Sequence, residues 1–118
     1  MTQPYTLIGD LKTRLADIPA DSIISQALYS EQDVRVVLFR FAVGQELTQH
    51  TASQPAILYF VEGRARLTLG TDEHEAGPGT WAHMAANLPH SIYAETPVTL
   101  LLILVRCAEV QAAAPAAP

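Results

Sequence analysis

A chain of 118 residues has room for one folded domain and no second core. With 49% hydrophobic and 16% charged residues it is apolar for a soluble monomer, which points to self-association. A formal charge of −5, with no cluster of Lys or Arg, argues against nucleic acid and anionic membrane as partners, because neutralising phosphates takes clustered cations.

The first ten residues, "MTQPYTLIGD", lack a basic region followed by an apolar block, so no secretory signal is expected and the cytoplasm is the default compartment. Residues 1–22 read as an N-terminal arm. Within it "DLKTRLADIP" places Leu11, Leu15 and Ile18 at helical spacing before Pro19, which predicts a short helix or turn.

From Ser22 the pattern changes to short apolar or alternating runs, broken by Gly, Pro, Asn and Asp about every ten residues. Strands are predicted at Ile23–Tyr29, Val34–Ala42, Glu46–Gln49, Ala56–Glu62, Arg64–Gly70, Thr80–Met84, His90–Ala94 and Val98–Arg106, with a turn or short strand at "TDEHEA". In "VRVVLFRFAV", Val34, Val36 and Leu38 share one face and Val37, Phe39 and Phe41 the other, so this strand should be buried on both sides. The apolar "VTLLLILV" is less than half the length needed to span a bilayer and reads as a buried strand.

The domain proper is expected over residues 23–109, containing Cys107 as a buried structural thiol, followed by a disordered Ala/Pro tail over 110–118. Many strands with no helices between them imply an all-β, antiparallel jelly-roll barrel or sandwich. An immunoglobulin-like sandwich is disfavoured by the missing Cys…Trp…Cys spacing. No G-x-S-x-G, P-loop, C-x-x-C or HExxH motif is present.

Two spacings carry chemistry. Gly44, His50 and Gly63 fall on the pattern G-x5-H-x-H-x3-E-x6-G, with Ala52 and Ala56 in place of the second His and the Glu. Gly79 and His90 fall on G-x5-P-x-G-x2-H-x3-N, with Ala85, Asn87 and Ala94 where Pro, Gly and Asn would stand. These residues, together with the fifteen-residue gap between the two patterns, resemble the cupin superfamily over residues 34–106. The resemblance implies a small single-domain barrel of the RmlC-like type. It also implies metal ligands at His50 and His90, and a homodimer formed by strand exchange or sheet packing around the N-terminal strands.

Alternate residues of a strand point the same way, so His50 facing inward should bring Ala52 with it. Likewise Ala56 should bring Leu58 and Phe60, and His90 should bring Ile92, lining an apolar ligand pocket around two imidazoles. Two neutral nitrogens without a carboxylate would hold a divalent transition metal (Zn, Fe, Mn, Ni or Cu) weakly or sub-stoichiometrically. His83 is the candidate third ligand. The turn between Met84 and His90 interrupts the alternation, so its direction stays open between ligand and outer-face residue. His74, amid acidic neighbours, reads as an exposed loop residue.

Trp81, Tyr59 and Tyr93 read as packing or interface aromatics, and Glu62, Arg64 and Arg66 as solvated charges. The expected function is a small-molecule-binding cupin in a non-catalytic, accessory or sensor role. The alternative is a metal-dependent dioxygenase, isomerase or cyclase using His50, His90 and His83.

Overall fold

A computed structural model describes residues 4–105. The expected tail, the domain end at residue 109 and Cys107 lie outside the described residues. The strands are β1 (Ile23–Ser30), β2 (Val34–Phe41), β3 (Glu46–His50), β4 (Ala56–Glu62), β5 (Ala65–Leu69), β6 (Asp72–Ala76), β7 (Trp81–Met84), β8 (His90–Ala94) and β9 (Val98–Val105). The "TDEHEA" segment is thus a true strand. Polar side chains can occupy it because β6 is a sheet edge, where both faces reach solvent.

All pairings are antiparallel, in a larger sheet of order β1-β2-β9-β4-β7 and a smaller one of order β3-β8-β5-β6. The inner faces meet in one core. Phe41, Leu58, Phe60, Val98 and Leu100 come from the larger sheet, and Leu67, Ile92 and Ala94 from the smaller. Removal of these apolar side chains from water is the main stabilising term of the sandwich. Both faces of β2 are indeed covered: Val37 and Leu38, on opposite sides, are each buried.

The arm contains one turn of 3-10 helix, Leu11–Arg14, capped where the Lys12 amide donates to Asp10 Oδ1 at 3.0 Å. It lies along the outer face of the larger sheet, where Arg14 and Ala16 border a groove with Leu38 and Arg40. Arg40 fastens it there. Its Nη1 donates to the Ala16 carbonyl at 2.6 Å and its Nε to Thr99 Oγ1 at 3.2 Å, while Nη2 lies 3.5 Å from Glu62 Oε2. Glu62, expected as a solvated charge, is therefore part of a polar node between strands.

Two backbone positions explain the motif spacing. Gly63 has φ +93°, and a Cβ there would collide with the Pro97 carbonyl, so the β4–β5 turn passes the chain before β9 only without a side chain. Asn87 stands at φ +68°, a left-handed conformation that Asn tolerates better than most residues and that glycine adopts freely. Among the described residues no helix is long and apolar enough to cross a membrane.

Candidate functional site

His50 ends β3 and His90 begins β8, and the two are direct cross-strand partners. Plain alternation would not put them on one side. Leu47 pairs with Ile92 and His50 with His90, so three steps along β3 match two along β8. This bulge adds one residue and returns His50 to the inward side of Leu47, over His90. The ring centroids are 4.2 Å apart and the ring planes tilted by 60°.

Each ring is held by the same local device. His50 Nδ1 lies 2.9 Å from the Thr48 carbonyl oxygen and His90 Nδ1 lies 2.9 Å from that of Leu88. A carbonyl oxygen only accepts, so each Nδ1 carries a proton, and in the neutral form of each ring the lone pair lies on Nε2. Among the described residues neither Nε2 has a hydrogen-bond partner in the protein.

Their surroundings differ. His90 is 6% exposed, whereas His50 is exposed at the rim of the sandwich on the edge strand. Burial pushes the His90 pKa below its ordinary value; the Leu88 carbonyl opposes that shift and the charge of a protonated His50 adds to it. Burial thus favours the neutral form of the His90 ring.

The predicted neighbours divide into three groups. Ala56, Leu58, Phe60 and Ile92 all point inward, as the alternation requires, and are packed into the core. Ala52 does not follow strand parity, because β3 ends at His50; it sits half-buried in the next loop, where its carbonyl accepts from the Asn87 amide at 2.7 Å. His83 is placed away from the pair. It is the register partner of Ile57 on β4, opposite in phase to the inward Ala56 and Met84, and its exposed ring stands on the outer face of the larger sheet. The open direction of His83 is thus outward, and His50 and His90 stand as a pair: among the described residues no three His, Cys, Asp or Glu side chains converge to hold a metal. His74 lies within β6 rather than in a loop, and is exposed as expected.

A family model described as the cupin domain matches residues 37–105. The chain belongs to the cupin family. Among solved structures this cupin is similar to a conserved protein of unknown function from Streptococcus pyogenes, with 26% identity and a TM-score of 0.76 over 92% of this chain and 93% of that one. It is similar also to a cupin superfamily protein from Desulfitobacterium hafniense, at 20% identity and TM-score 0.75, covering 89% and 94% of the two chains. A Thermus thermophilus protein matches at 26% identity and TM-score 0.74, over 83% and 95%. No protein of curated function matches the cupin.

Sequence reasoning missed two features of this site. The bulge leaves no mark in residue identity, and the carbonyl contacts two residues before each histidine depend on local backbone shape. The only signal was the motif spacing, which assumes both.

Proposed function

We propose that this cupin binds a small molecule at the His50–His90 pair, in an accessory or sensing role, with a divalent transition metal held there weakly. The observation that supports it is the pair of rings 4.2 Å apart, with each Nδ1 committed to a carbonyl and each Nε2 left without a protein partner among the described residues. Metal-ligating histidines are oriented in this way by a carbonyl on the other ring nitrogen. The residues fit two positions of a coordination shell and leave it incomplete. A bound ion would supply Lewis acidity toward an oxygen atom of the ligand. The protein's part is to fix the tautomers and to keep the buried side of the site dry with Leu69, across from His90, and Leu47 on β3.

Metal analysis of freshly purified protein tests this reading. Sub-stoichiometric metal, lost in His50→Ala, is the expected result; content unchanged when both histidines are replaced would refute it. The exposure of His50 favours one alternative, an enzyme of dioxygenase, isomerase or cyclase type, because a substrate can reach the pair from solvent. That alternative predicts near-stoichiometric metal and turnover, both abolished in His50→Ala.

We also propose a homodimer packed through the outer face of the larger sheet. Trp81 (59% exposed) and Tyr59 (39%) are cross-strand partners there, continuous with half-buried Ile57, Leu101 and Ile103. Light scattering should report twice the chain mass, shifting toward one chain mass in Trp81→Glu. A monomer at all concentrations would remove the proposal.

A further inference from the structure

The N-terminal arm and the larger sheet enclose a cavity on the side of the molecule away from the histidines. The arm runs over the outer face of that sheet, and no residue of its helical turn Leu11–Arg14 is buried, so it bridges the sheet rather than packing into it. Near the start of the arm this leaves a groove of about 420 Å³. Thr6, Ile8 and Leu11 form its roof, and Tyr29, Val36 and Leu101, from β1, β2 and β9, belong to its floor. It shares no residue with the His50–His90 pair.

The lining selects the ligand. Tyr5 and Leu7 point to solvent, 67% and 81% exposed, while Thr6 and Ile8, alternating with them, face the groove, as in an extended strand. Downstream, Arg40 Nη1 fixes the arm at the Ala16 carbonyl, which limits how far the roof can settle onto the floor. Two apolar walls held apart keep apolar surface in water, and a molecule that fills the gap removes it from both at once. Among the described residues no charged side chain lines the groove, so an ion entering it would lose hydration without gaining a counter-charge. The polar side-chain groups on offer are the hydroxyls of Thr6 and Tyr29, and among the described residues neither is engaged in a hydrogen bond. The volume is that of a small-molecule site, for which roughly 300–1,000 Å³ is usual.

We propose that this groove binds a small neutral molecule, mostly apolar and carrying a hydroxyl or a carbonyl, clamped between the arm and the sheet. Ile8 and Leu11 cover it from the arm, Val36 and Leu101 support it from the sheet, and the Thr6 and Tyr29 hydroxyls orient its polar atom. Because the ligand touches both walls, occupancy also fastens the start of the arm to the sheet.

Fluorescence titration of the full chain tests this with two probes that share a ring system: phenylnaphthylamine, which is uncharged, and anilinonaphthalenesulfonate, which carries a sulfonate. The neutral probe should saturate and bind about tenfold more tightly than the charged one or better, because the charge would be buried uncompensated. Ile8→Asp in the roof and Val36→Trp in the floor should each weaken the neutral probe about tenfold or more, the first by adding a charge and the second by filling the space. Ile8 lies in the arm, outside the core, so its replacement should leave the melting temperature of the sandwich unchanged. Amide exchange over residues 5–11 should slow when the neutral probe saturates. Equal affinity for the two probes, or affinity unchanged in both variants, would overturn the proposal. Affinity kept in Ile8→Asp but lost in Trp81→Glu would overturn it by placing the probe on the exposed aromatic patch. Affinity that falls as the protein is concentrated, in step with a doubling of mass by light scattering, would overturn it in favour of a second copy filling the groove.

Discussion

Two polar clusters sit in this mostly apolar sandwich, and they are built on opposite plans. In the Arg40–Glu62–Thr99 node each of the three side chains is bonded within the chain. Thr99 Oγ1 accepts from Arg40 and donates to Glu62 at 3.0 Å, and the guanidinium also reaches the Ala16 carbonyl and the Glu62 carboxylate. In the His50–His90 pair half of the hydrogen-bonding capacity is matched, by the Thr48 and Leu88 carbonyls, and the two Nε2 atoms are left open. A closed cluster does structural work, here holding the arm against the sheet. An open cluster at the rim, whose Nε2 atoms have no protein partner among the described residues, is available to something from outside.

The largest effect that would separate the two clusters is on stability. Arg40→Met removes the cation that serves the Glu62 carboxylate, the Thr99 hydroxyl and the Ala16 carbonyl. It should cost about 2 kcal/mol in chemical denaturation, below the cost of breaking a fully buried pair. The side-chain exposure of Glu62, 43% against 19% for Arg40, is the reason for that discount. Faster amide exchange along residues 14–22 should accompany it. A variant as stable as the parent would mean that the node does not secure the arm.

Next comes Ala52→His, which places an imidazole at the motif's second ligand position, in the loop latched to Asn87. It should raise metal retention about tenfold, equivalent to about 1.4 kcal/mol. No gain would mean that this loop keeps residue 52 away from the pair.

The smallest effect is the pH dependence. His90 is protonated in the unfolded chain near its ordinary value of 6.5 but only at lower pH when folded. Below that value the unfolded state binds the extra proton, so stability is fully present above pH 6.5 and falls with acidification until the folded ring is protonated too. Thermal melts across this window should show the decline, and His90→Gln should flatten it. An unchanged slope in that variant would assign the decline to other groups.

Much of the architecture was legible because strand formation is read from local patterns. Alternation and turn residues located the eight strands to within a residue or two at most ends, and only "TDEHEA" was left between turn and strand. Its acidic side chains hide the periodic signal, which is carried by one face against a core that β6 meets only at Ala76. At the site, His50 and His90 were legible from their distances to Gly44 and Gly79, each of which takes a positive φ. His83 was not, because its direction depends on counting through a turn whose shape is set by Asn87 and by the Ala52 carbonyl it binds. The Arg40 node was invisible as well: its members are 22 and 37 positions apart and meet only where β9 is inserted between β2 and β4.

By itself the sequence determined an antiparallel β sandwich, the inward set Ala56, Leu58, Phe60 and Ile92, and two histidines at matching motif positions, since each follows from spacing along the chain. Tertiary structure alone decided that a bulge in β3 turns His50 onto His90, that His83 faces outward from the larger sheet, and that Arg40 closes one polar cluster while the other stays open. The physical reason is that side-chain direction within a strand repeats every two residues, so the sequence can count it, whereas bulges and strand neighbours are set by long-range pairing between segments far apart in the chain.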